Sequence, residues 1–156
     1  MIKDSGIRRE FASGAVRDVQ EGKGRCDLMP LSNVAHFLNH DTVIYAIAEY
    51  VKTGGIQSLY IALENFVLKL GTDMPTLMLE VAIHYEEGCC KYGERNWQKG
   101  LPLHCYIDSG VRHYLKWLRG DDDERHDRAF VWNILGAIWT HENKPELREY
   151  PYVLEE

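Results

Sequence analysis

The chain has 156 residues, 45% of them apolar and 27% charged, which is enough to bury one core and makes one domain over 1–156 the default. Its formal charge of -6 at pH 7 argues against long-range attraction to a nucleic-acid polymer or an anionic membrane. With no apolar run of membrane-spanning length and no signal-peptide pattern at the N-terminus, the sequence predicts a cytoplasmic protein whose ligand is a small anion gripped by local basic loops.

Residues 13–30 contain three glycines and scattered charges without helical or strand periodicity, so the N-terminal 1–30 reads as a polar arm closed by Pro30. Leu31, Val34, Ala35 and Leu38 then recur at helical spacing, and Asn39-His40-Asp41-Thr42 marks a stop and the next N-cap. Val43, Ile44, Ile47, Ala48 and Val51 form a second apolar stripe ended by Gly54-Gly55. Ile56, Leu59, Tyr60, Leu63, Phe66, Val67 and Leu70 form a third, ended by Gly71. The hairpin so made, 39–73, carries no chemistry on its polar faces and suits a structural or oligomer-forming role.

The next helix begins after Met74-Pro75-Thr76 and runs to about Tyr92. The spacing puts Met78, Val81, Ala82, Tyr85 and Cys89 on one side and Glu80, His84, Glu87 and Lys91 on the other. A basic, aromatic, glycine-punctuated loop follows (Lys91 to Pro102), then a helix from about His104 to Arg119 and an acidic stretch to Glu124. A last long helix carries Phe130, Val131, Ile134, Leu135 and Ile138 on its apolar face, and a polar tail follows Asn143. No strand is predicted. The fold class is all-α, a compact bundle of about six helices with a polar arm, in which 76–142 supplies the candidate catalytic helices. Cys26, Cys89, Cys90 and Cys105 show neither CxxC nor zinc spacing and read as reduced, small buried side chains.

Glu80 and Glu87 share a helix face, and two such carboxylates can hold a hard cation; the same spacing is what an ordinary solvated helix shows. His84 between them can bind or relay a proton, and Glu86 points to one side. Asp108, four residues before Arg112, is either half of a buried ion pair or a metal ligand from a second helix. His113 lies well round that helix from Asp108, which argues against one shared ion. In the last helix His126, Ala129, Asn133 and Thr140 form a stripe of small and polar residues that either lines a cavity or lets two backbones approach. Arg17, Lys23 and Arg25 in the arm, and Lys91, Arg95 and Lys99 in the later loop, are interleaved with glycines that admit an anion to backbone N–H groups. Tyr92 and Trp97 can stack on a purine, although a loop tryptophan also serves as a core plug. No phosphate-binding Walker, dinucleotide or serine-hydrolase motif occurs. His126-Asp127 is the pair that HD phosphohydrolases use, but no Asp follows it to complete their ligand set.

The ordered blocks Ser13 to Pro30, His84 to Gly100, Asp108 to His126 and Trp132-Asn133 resemble the dATP/dGTP diphosphohydrolase family of phages and prophages, itself similar to the all-α MazG-type pyrophosphohydrolases. The resemblance implies an all-α, cation-dependent hydrolase that releases pyrophosphate from purine deoxynucleotides in a host cytoplasm, with the 39–73 hairpin as an insertion. Glu86-Glu87, followed much later by Asp123 and Glu124, departs from the spaced acidic signature of the MazG type, so its ligand assignment does not transfer. The resulting expectation is magnesium (or manganese) on Glu80, Glu87 and Asp108, with Glu86, His84 and His126 as catalytic groups. Arg17, Lys23, Arg25, Lys91, Tyr92, Arg95, Asn96, Trp97, Lys99, Arg112, His113 and Asn133 are expected to bind substrate, in a homo-oligomer. The competing expectations are a protein that sequesters a nucleotide, such as a signalling nucleotide, without cutting it, and a purely structural or regulatory oligomer.

Overall fold

The computed structural model describes residues 3–152. In chain order they form a short antiparallel ribbon, β1 (Arg8–Glu10) and β2 (Val16–Asp18), then helices α1 (Leu31–Phe37), α2 (Thr42–Thr53), α3 (Gln57–Leu70), α4 (Met74–Tyr92), α5 (Leu103–Arg119) and α6 (His126–Asn143), with three short 3-10 turns between and after them. The all-α expectation holds, with one correction. The arm contains a two-stranded ribbon in which Arg9 faces Arg17 and Arg8 faces Asp18, where the sequence predicted no strand.

The helix limits follow from local chemistry. The Asp41 carboxylate accepts from the Ile44 amide at 2.8 Å and so caps α2; Asp73 does the same for α4 through the Thr76 amide at 2.8 Å. Gly54 ends α2 at a φ of 70°, and Gly71 ends α3 at 72°, the left-handed conformation that closes a helix and that glycine adopts without a Cβ penalty.

α6 is the central element, because it is apolar or small on nearly every side. Ala129, Phe130, Val131, Ile134, Gly136, Ala137 and Ile138 are all buried, and α5 is its most extensive partner. The close approach of the two depends on Gly136: a Cβ placed there would lie 2.4 Å from Cε1 of Tyr106. Phe66 of α3 meets Tyr114 and Trp117 of α5 and Phe130 of α6 edge to face, with centroids 4.7–6.0 Å apart, which seats the hairpin on the α5–α6 pair. The Tyr114 hydroxyl donates to Asp41 at 2.5 Å, so the same carboxylate that caps α2 also ties it to α5.

α4 sits differently from its predicted orientation. Leu77, Val81 and His84 are the buried residues of this helix, while Met78 is 42% exposed and Cys89 is exposed. The inward line therefore runs between the two predicted faces, taking Val81 and Tyr85 from the apolar one and His84 from the polar one, and Met74, Met78, Leu79 and Ile83 are left on the surface. The cysteine expectation changes with it: all four thiols are free, but only Cys105 is buried, and Cys89 and Cys90 are exposed. Among the described residues no helix is long and apolar enough to cross a membrane.

Candidate functional site

The arm folds over α4, α5 and α6 and encloses with them a cavity of about 540 Å³, within the range of a small-molecule pocket. What pins the arm is Asn96 in the loop after α4. Its side chain accepts from the Val16 amide and donates to the Val16 carbonyl, both at 2.8 Å, so one amide side chain does the work of a neighbouring strand for β2. Tyr92 adds a second fastening by accepting from the Asp18 amide at 3.1 Å.

The ribbon delivers Arg17 to the floor of the cavity. Its guanidinium donates to Asn133 Oδ1 at 3.1 Å and to the Cys105 carbonyl at 3.3 Å, and lies 5.3 Å from the Trp132 ring and 5.6 Å from Tyr106. Asn133 is held for this by donating to the Ala129 carbonyl at 2.8 Å. Lys3, Arg9, Lys23, Lys91, Arg112 and Lys116 complete the cationic lining; Asp4, Asp18, Asp108 and Glu124 supply the carboxylates. Three of those acids are ion-paired, Asp4 with Arg8 at 2.6 Å. Asp108 pairs with Arg112 at 2.5 Å and accepts from the Cys26 amide at 2.7 Å, while Asp18 has Lys23 at 3.5 Å and Lys91 at 3.9 Å. Arg9, Arg17 and Lys116 have no carboxylate within salt-bridge distance among the described residues, and the buried Nε groups of Arg9 and Arg112 have no hydrogen-bond partner. Positive charge and unspent N–H donors thus accumulate beside Tyr92 and Trp132, an arrangement chemically able to hold a polyanion.

Three imidazoles occupy the same region. His84 lies in the cavity with its ring 6.1 Å from Trp132, and burial lowers its pKa to about 4, so it is neutral at pH 7. His113 also lines the cavity and is likewise driven well below its ordinary value, by burial first and then by the adjoining His126. Nδ1 of His113 is 2.9 Å from Nδ1 of His126, whose Nε2 is 2.7 Å from Asp123 Oδ1. Asp123 is held ionised by its hydrogen bond with Lys3 and, second, by His126.

The cavity therefore brings together Arg17, Lys23, His84, Lys91, Tyr92, Asp108, Arg112, His113 and Asn133 from the sequence-predicted set. The others lie elsewhere. Arg25 is paired with Asp27 at 2.7 Å, Arg95 and Lys99 are exposed away from the lining, and Asn96 is buried as the strand mimic. Trp97 is a core plug, its ring 5.0 Å from Trp139. Glu86 is exposed outside the cavity, and His126 is buried behind His113. Glu80 faces Arg125 at 3.3 Å and Arg128 at 3.1 Å, and Asp108 faces Arg112. Glu80, Glu87 and Asp108 do not converge: among the described residues the groups whose ligand atoms lie within 4.8 Å of one another are His113-Glu124-His126 and Asp121-Asp123-His126. The expected magnesium triad is corrected on this point, because arginines already neutralise two of its three members.

Sequence reasoning missed Lys3, Arg9, Lys116 and Trp132 as lining residues. Arg9 faces Arg17 across the ribbon, a pairing visible only once a strand is assigned. Gly88 was also missed; it lines the cavity, and a Cβ built on it meets nothing within 4 Å.

A family model described as dATP/dGTP diphosphohydrolase, N-terminal, matches residues 63–149, more than half of the chain. The matched stretch runs from within α3 through α4, α5 and α6 and so includes the helical walls of the cavity, while the arm lies outside it. Neither the curated proteins nor the solved structures yield a match.

Proposed function

We propose, from the premise that this chain belongs to the dATP/dGTP diphosphohydrolase family, that it hydrolyses purine deoxynucleoside triphosphates to the monophosphate and pyrophosphate in the cavity beneath the arm. The observation that carries this reading is the cationic lining with an aromatic wall, in which Arg9, Arg17 and Lys116 lack carboxylate partners. Phosphoryl transfer asks a protein mainly for positioning and charge neutralisation. Arg17, fixed by Asn133 and stacked on Trp132, is the rigid part of that neutralisation; Arg9, Lys23, Lys91, Arg112 and Lys116 surround it. The purine lies against Tyr92 or Trp132.

In the hydrolytic step water attacks the α-phosphorus and the bond from that phosphorus to the bridging oxygen breaks, so pyrophosphate leaves with that oxygen. The water proton passes to the neutral imidazole of His84, which stands in the cavity lining beside the triphosphate. A divalent cation carried with the triphosphate would screen its charge. The three carboxylates expected to hold it do not gather, so no step here depends on them.

A second reading, nucleotide sequestration without cleavage, is favoured by one observation: the cavity acids Asp18 and Asp108 are consumed in ion pairs. Chromatography of dATP, dGTP, dCTP, dTTP and the ribonucleotides after incubation with protein and a divalent cation separates the two. The proposal expects dAMP or dGMP with pyrophosphate. Intact nucleotide recovered from a complex whose affinity is unchanged by EDTA would overturn hydrolysis in favour of sequestration.

A further inference from the structure

We propose that the α5–α6 turn holds a first-row transition dication, of the class of manganese, cobalt or zinc, on His113, His126 and Glu124. The three residues offer one ligand atom each within a 4.8 Å group, and no carboxylate-only set of that size occurs among the described residues. The separation of His113 Nδ1 and His126 Nδ1 is 2.9 Å, close to the roughly 2.9–3.4 Å between adjacent donors that each lie about 2.1 Å from one ion. The hydrogen-bond geometry provides an independent argument. The 2.7 Å contact with Asp123 engages His126 Nε2 and turns Nδ1 toward His113, and an ion would displace the proton that the two Nδ1 atoms share at 2.9 Å. A carboxylate behind an imidazole whose other nitrogen is free to coordinate is the arrangement that orients metal-bound histidines.

His113 and Glu124 both line the cavity, so an ion on them adjoins the space assigned to the triphosphate. The second group, Asp121-Asp123-His126, is disfavoured because Asp121 pairs with Arg119 and Asp123 with Lys3 while orienting His126. Two nitrogens and one oxygen suit imidazole-binding transition ions and are a poor set for magnesium, which takes oxygen donors. Three protein ligands leave the rest of the coordination shell to water or phosphate oxygens. The binding claim stands apart from the hydrolytic reading; the use of the ion in hydrolysis rests on that reading.

The test is cobalt titration of EDTA-treated, desalted protein followed by visible absorption, with retained cobalt, zinc, manganese and magnesium counted by elemental analysis. One transition ion per chain with cobalt ligand-field bands is expected, and no retained magnesium. His113→Ala and the more exposed Glu124→Gln should each weaken binding by about tenfold or more while the circular dichroism and melting temperature stay as in the wild type. Absence of cobalt bands, or wild-type affinity in both variants, would overturn the site. Cobalt bound through His113 in a protein that cleaves no nucleotide would support the site and remove the hydrolytic reading; undiminished magnesium-driven hydrolysis in His113→Ala, with cobalt affinity unchanged, would do the reverse.

Discussion

Replacing His84 with glutamine should remove a defined part of the dependence of stability on acid. His84 is 9% exposed in the wall of the cavity, and burial lowers its pKa from 6.5 to about 4. As the pH falls below about 6.5 the unfolded chain takes up a proton at this histidine and the folded chain does not, so the unfolded state gains. The stabilisation is fully present above 6.5, declines as the pH falls, and stops declining below about 4, where both states are protonated. Between pH 8 and pH 5 the loss from this one group is about 2 kcal/mol. Urea unfolding of wild type and His84→Gln at the two pH values isolates it, since the remaining histidines are common to both proteins. The wild type should lose about 2 kcal/mol more than the variant over that interval. Parallel losses in the two proteins would refute the claim that burial holds His84 neutral.

Other expectations address the fold and the cavity separately. Gly88→Ala should raise the melting temperature slightly, because alanine is favoured over glycine in a helix by about 1 kcal/mol, whereas Gly88→Leu should keep the fold and weaken nucleotide binding in a calorimetric titration by projecting into the cavity. Gly136→Ala should cost about 1–3 kcal/mol in urea unfolding, since its methyl group meets the Tyr106 ring. Asn96→Ala should release β2, read as faster hydrogen exchange at the Val16 amide with little change in the helical core. Arg17→Ala should lower kcat/KM for a purine deoxynucleoside triphosphate by about a hundredfold or more, if the guanidinium stabilises the transferring phosphoryl group, and partial recovery in Arg17→Lys would indicate how much of the effect is charge alone.

The parts of the fold that the sequence announces are those fixed by neighbours in the chain. Asp41 caps through an amide three residues on, and Gly54 and Gly71 terminate through their own dihedral freedom, so these limits of the hairpin are readable, whereas Asp73 caps α4 at Met74, ahead of the start expected after Thr76. The face of α4 was not readable. A polar residue is ordinarily assigned to solvent, yet His84 and Lys91 turn inward because a cavity lined with charged side chains lies on that side. The ribbon escaped because its strands have three residues each and half of their support comes from Asn96, eighty positions after Val16. Arg17, Lys23 and Lys91 of the site were legible as basic loops interleaved with glycine, although Arg25, Arg95 and Lys99 satisfied the same pattern and lie outside the lining. The cluster of His113, Glu124 and His126 was hidden for a different reason: His113 and His126 belong to different helices, and only the turn through Gly120 sets their rings 5.2 Å apart.

The account rests on the cationic cavity acting on the α-phosphorus of a purine deoxynucleoside triphosphate. Hydrolysis of dGTP in ¹⁸O-labelled water, with a divalent cation and followed by ³¹P NMR, tests it directly. The prediction is dGMP carrying the heavy oxygen together with unlabelled pyrophosphate, with the rate strongly reduced in Arg17→Ala. Unchanged dGTP and dATP under these conditions, or label appearing in the pyrophosphate or orthophosphate instead, would contradict it.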